Sequence, residues 1–89
     1  MPRLVDLPVR RLPPSGGRPG ALLVGRRRMM VRRLLERWRE SGEWWEGEGE
    51  REVERLLLAD GAVVEISAAV DASGGVVLEG GWRLVARFD

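Results

Sequence analysis

The apolar positions of this chain change their period along its length. In "PRLVDLPVRRL" they alternate loosely, at Leu4, Leu7, Val9 and Leu12, and Pro2 and Pro8 restrict the stretch to an edge strand or an extended arm. "PPSGGRPG", residues 13 to 20, reads as a loop from its proline and glycine content. "ALLV" follows as a short buried strand, closed by a turn at Gly25 and Arg26. In "RMMVRRLLERWRES" the apolar residues Met30, Val31, Leu34, Leu35 and Trp38 fall on a helical stripe. Arg32, Arg33, Glu36, Arg37 and Arg39 would then cover the solvent side, and Met, Leu, Arg and Glu all favour helix. No capping residue starts such a helix, and a pair of strands fits the same length, so both readings of residues 29–40 stay open.

Beyond residue 53 the period is that of strands. "VERLLLADGAVVEIS" places two apolar runs around Asp60-Gly61, a dipeptide that type I′ hairpins prefer. "AAVDASGGVVLEGGWRLVARF" repeats the arrangement, with turns at Ser73-Gly74-Gly75 and Gly80-Gly81 and a strand "VVLE" between them. In the last strand Trp82, Leu84, Ala86 and Phe88 alternate with Arg83, Val85 and Arg87, the mark of a half-buried strand. The expected fold is mainly β: four or five short strands in a small antiparallel sheet curled into an SH3-like partial barrel, with one helix near 29–40 as the alternative. Residues 1–89 are expected to form a single domain, with 1–20 as N-terminal arm and loop and 21–89 as barrel core.

Composition narrows the chemistry. All 15 basic residues are arginine, and lysine, histidine, tyrosine, threonine, asparagine, glutamine and cysteine are absent. Such a bias fits a GC-rich genome, and the missing amides and cysteine suit a thermophilic source. It also removes the usual general base at neutral pH, the Schiff-base amine and the thiolate nucleophile. Ser15, Ser41, Ser67 and Ser73 have no base nearby in sequence. The expectation is no enzyme, no cofactor and no metal. "EGEGERE" sets Glu46, Glu48, Glu50 and Glu52 at alternate positions, but lacks the aspartates and turn of a calcium loop and reads as a solvated acidic loop. "SGGRPG" lacks the lysine, strand and helix of a phosphate-cradling loop. No apolar run approaches the roughly 18 residues of a membrane span, and charges occupy the place of a signal peptide's apolar core, so a cytoplasmic protein without membrane contact is expected.

Charge is divided along the chain. Residues 1–39 carry eleven arginines against Asp6 and Glu36, a net +9, whereas residues 40–89 carry four arginines against twelve acids, a net −8. Either the halves pair within the fold or the basic half meets a polyanion. Arg26, Arg27, Arg28, Arg32 and Arg33 are the candidate nucleic-acid contacts, because the guanidinium fork binds two phosphate oxygens. The objection lies just downstream, where seven glutamates from Glu40 to Glu54 would repel the same phosphates. Trp38 and Trp82 are expected in the core, while Trp44 and Trp45 would face opposite sides of a strand and offer one exposed ring as a partner contact.

Gly25-Arg26, Glu36 to Glu40, Gly42, Trp44-Trp45, Arg51, Gly61, Glu65-Ile66, Trp82, Leu84, Arg87 and Asp89 together form a pattern. Over residues 20–89 it resembles a small uncharacterised bacterial domain found at the C-terminus of, or encoded near, Y-family translesion-polymerase-like proteins. Met29, Val53, Glu54 and Val64 stand where that pattern has aromatic residues. The resemblance implies a mostly β domain with extended strands over 29–39, brings no established activity, cofactor or catalytic residue, and points by genomic company to DNA damage tolerance. Two functions are therefore expected. One is a non-enzymatic binding or assembly module that contacts another protein or itself, as a homodimer. The other is a DNA-associated accessory domain whose arginine patch binds nucleic-acid phosphates.

Overall fold

The structure is a computed structural model that describes residues 3–41, 50–70 and 81–88. Among them no helix occurs. Seven strands do: β1 (Arg3–Pro8), β2 (Arg10–Leu12), β3 (Ala21–Val24), β4 (Arg27–Ser41), β5 (Glu50–Leu58), β6 (Val63–Ala69) and β7 (Arg83–Phe88). They form one antiparallel sheet in the order β1-β7-β6-β5-β4-β3-β2. β1 and β2 are the two ends of that order, yet only Val9 separates them in sequence. The sheet therefore has to curl until its ends approach each other, and the result is the expected small partial barrel. Val9, 4% exposed, sits at the kink and its N–H donates to the Trp82 carbonyl at 3.1 Å.

The helix considered for residues 29–40 does not form; the stretch lies within a single strand of 15 residues. Two bulges explain the misleading stripe. Val31 pairs with Leu58 and Leu34 with Leu56, so two residues of β4, Arg32 and Arg33, span the interval that Leu57 spans alone on β5. A second shift between Leu34 and Glu36 leaves Leu35 as another extra residue. Each extra residue stretches the inward spacing from two to three, and a strand with two such steps imitates helical periodicity over one window. Pairing on both sides, to β3 and then to β5, supplies the backbone bonds that a helix would have made internally.

The core lies on the concave side. Leu22 of β3, Leu56 and Leu58 of β5, and Val64 and Ile66 of β6 are its largest fully buried side chains, and Val9 and Leu84 complete the cluster. Each such side chain contributes about 1.5–3 kcal/mol relative to exposure. Trp82 packs against this cluster, as expected. Trp38 does not: it pairs in register with Val53 and so lies on the convex face, half-buried. β7 keeps its alternation only as far as a bulge at Val85, beyond which Ala86 pairs with Glu65 and Phe88 with Val63 on that same convex face.

The β5–β6 hairpin forms where Asp60-Gly61 marks it, with a different turn. Among the described residues no non-glycine has positive φ, which excludes type I′ at Asp60. Instead the Gly61 N–H donates to the Leu58 carbonyl at 3.0 Å, Gly61 takes φ 91°, and Leu58 pairs with Ala62 at 2.8 Å. That is a three-residue loop closed by a glycine bulge. The turn at Ser73-Gly74-Gly75 and the strand "VVLE" lie outside the described residues. No helix among the described residues is long and apolar enough to cross a membrane.

Candidate functional site

Arginine appears in two conditions on this sheet, paired and unpaired. The paired group centres on two glutamates of β5. Glu54 aligns with Ile66 and Glu52 with Ala68, which puts both carboxylates on the concave face beyond the apolar core. They are 2% and 8% exposed. Burying a carboxylate is costly unless it is paired and hydrogen-bonded, and both are. Glu54 accepts from Arg11 Nε at 2.7 Å and from Arg37 at 2.8 and 3.1 Å. Glu52 accepts from Arg39 Nε at 2.9 Å and lies 3.6 Å from Arg37. Hydrogen bonding to Glu52 is the main cause that raises the Arg39 pKa above its ordinary value, assisted by the charges of Glu52 and Glu50 and opposed by desolvation. Arg11 comes from β2 and Glu54 from β5, so this bond also ties one end of the sheet to its middle.

The convex face carries a second network. Arg55 binds Glu65 at 2.7 Å and Glu36 at 3.5 Å, and its guanidinium lies 5.5 Å from the Trp38 ring and 5.6 Å from the Phe88 ring. The Trp38 indole N–H donates to Glu40 at 3.0 Å. On the same face Arg83 pairs with Asp6 and Arg51 donates to the Ser67 hydroxyl at 2.8 Å, whereas Arg87, in register with Val64 on the concave side, lies 3.7 Å from Asp60. No buried side-chain polar atom among the described residues lacks a partner.

The unpaired group consists of the residues singled out from sequence, joined by two others. Arg26, Arg27, Arg28, Arg32 and Arg33 are all exposed, and none forms an ion pair or side-chain hydrogen bond among the described residues; Arg10 and Arg18 behave likewise. Register sorts them by face. Met29 is opposite Leu22 and packs on the core, so Arg28 points to the convex side. Val31 and Leu34 align with the buried Leu58 and Leu56, so the bulge turns both Arg32 and Arg33 outward. Arg10 aligns with Leu23, and Leu23 with Arg28, which adds Arg10 to the same face from two strands away. Arg26 stands in the β3–β4 turn beside them, while Arg27, opposite Val24, falls on the other face. Sequence reasoning missed Arg10, because only the return of the N-terminal segment beside β3 reveals its position.

The platform has a firm base. Gly20 is buried, its carbonyl accepts from the Val31 N–H at 2.9 Å, and a Cβ there would meet the Leu12 carbonyl oxygen at 3.0 Å. The 13–20 loop is thereby held against β4 at the bulge. Between them lies a cleft of about 230 Å³ lined by Leu12, Pro14, Pro19, Val31, Arg32 and Arg33 among others. A shallower depression of about 630 Å³ runs from Arg10 and Leu23 to Trp82. Neither is lined by an acid or a serine. Asp60 is the described acid beside Arg27 and Arg28, and it is turned toward Arg87.

Trp44, Trp45, Glu43, Glu46 and Glu48 lie outside the described residues, so the partner contact expected of the tryptophan pair has no geometry to report. Among the described residues no group of three or more acids could hold a metal ion. No protein-family model, no curated protein and no solved structure matches the chain.

Proposed function

We propose that this domain is a non-enzymatic binding module that engages nucleic-acid phosphates through Arg10, Arg26, Arg28, Arg32 and Arg33. The observation that carries the reading is the division of the arginines. Every acid near the centre of the sheet is already claimed by Arg11, Arg37, Arg39 or Arg55, whereas the arginines from 26 to 33 have no partner among the described residues. The glutamates of β5 that seemed to oppose polyanion binding align with residues 36–41, away from the arginine-rich first part of the strand. Uncompensated guanidinium groups on a rigid strand suit phosphate recognition, and affinity built this way falls steeply with salt. The cleft under the 13–20 loop and the depression beside Trp82 lack an acid, a serine or any other group that could act as base or nucleophile, which favours binding over catalysis. A place beside DNA-synthesis machinery, suggested by the resemblance, belongs to this reading. Fluorescence anisotropy with a labelled oligonucleotide at low and high salt tests it: binding at low salt that the joint change of Arg28, Arg32 and Arg33 to serine abolishes is expected, and no binding at low salt refutes it.

A second reading, self-assembly, draws on β1. Among the described strands this edge strand pairs only with β7, and it leaves Leu4 81% and Leu7 44% exposed. Light scattering after size exclusion should then show a dimer that Leu4→Glu dissociates; a monomer at every concentration would refute it.

A further inference from the structure

We infer that the ligand of the arginine face is double-stranded DNA, gripped by its two rows of phosphates, in preference to a single strand held by base stacking. The inference rests on the phosphate-binding reading above and adds the form of the nucleic acid. Single-strand binders combine a basic groove with rings on which bases stack. Here the described rings are already covered. Arg11 lies 5.8 Å from the centre of Trp82, and Arg55 covers both Trp38 and Phe88. Those guanidinium groups are held in turn by Glu54 and by Glu65 and Glu36, so a base would have to displace a cation from a carboxylate to reach an indole. The residues interleaved with the unpaired arginines are Leu23, Met30 and Leu35, which offer no π-face.

Spacing points the same way. Arg10 and Arg28 are two strands apart, about 10 Å, and Arg28 and Arg32 are four residues apart along β4, about 13 Å. The major groove of B-form DNA is about 12 Å wide, so guanidinium groups at these separations can meet phosphates on both of its walls. Because the positions are set by paired strands and by the anchored 13–20 loop, the face is preformed, as suits a stiff duplex. It contacts backbone only and reads no sequence.

Anisotropy measured in parallel on a labelled duplex of about 20 base pairs and on one of its single strands, over a salt series, tests this. The duplex should bind at least about tenfold more tightly, with a log–log salt slope near −3.5, as about four phosphate contacts require. A duplex of scrambled sequence should bind equally well. Arg10→Ser should weaken duplex binding severalfold and make the slope shallower by about 0.9. Equal or tighter binding of the single strand, or quenching of tryptophan emission by it, overturns the duplex assignment while leaving the arginine face intact. Failure of both ligands to bind at low salt overturns the phosphate-binding reading itself.

Discussion

The two ends of β4 carry the same residue type in opposite circumstances. Over residues 36–41 the strand faces β5, where Glu50, Glu52 and Glu54 alternate, and each arginine finds a carboxylate within reach. Over residues 27–33 it faces β3, "ALLV", and the aliphatic end of β5, and its arginines find none among the described residues. An arginine's role here follows from the strand opposite it. Where the neighbour is acidic, arginine is structural cement that allows glutamates to be buried. Where the neighbour is aliphatic, the guanidinium keeps its charge available at the surface. The bulge at Arg32 sharpens the contrast, because it turns two consecutive arginines to the same side where a regular strand would bury one of them.

Changing one residue at a time should break this comparison at its paired end first. Glu54→Ala removes a carboxylate that is 2% exposed and holds Arg11 and Arg37, and should destabilise the domain by about 3 kcal/mol in urea denaturation. A loss below about 1 kcal/mol would show that the buried pair holds little together. Arg11→Ala should cost about 2 kcal/mol, since Glu54 keeps Arg37 while Trp82 loses the cation above it. Arg55→Ala should cost about 1 kcal/mol and shift tryptophan emission by exposing Trp38, a change that circular dichroism would not register as unfolding. At the unpaired end Arg28→Ala and Arg33→Ala should each leave stability within about 0.5 kcal/mol. Each should nevertheless reduce the steepness of the salt dependence of DNA binding by about 0.9. Equal destabilisation at the two ends would erase the distinction.

Much of the architecture was legible from alternation. "ALLV", "VERLLL", "AVVEIS" and "WRLVARF" have strand periods and bounding glycines, and all lie in strands or at their ends. The bulges were not legible. A two-residue step on one strand exists only relative to its neighbour, so "VRRLLERW" seen alone supports a helical stripe as well as a strand. Trp38 was misassigned for the same reason, because the second bulge moves it to the convex face. The candidate arginines are visible as a cluster, yet nothing local distinguishes Arg33, which has no partner among the described residues, from Arg37, which binds Glu54 across 17 positions.

The chain's own composition settled the menu of chemistry: guanidinium and carboxylate as its charged side chains, no imidazole, amine or thiol, and enough alternating aliphatic residues to make β structure the main outcome. Which charges cancel was decided by the fold alone. Electrostatic pairing acts over a few ångströms, and Arg11 reaches Glu54, 43 positions away, only because the sheet curls and brings its two ends together.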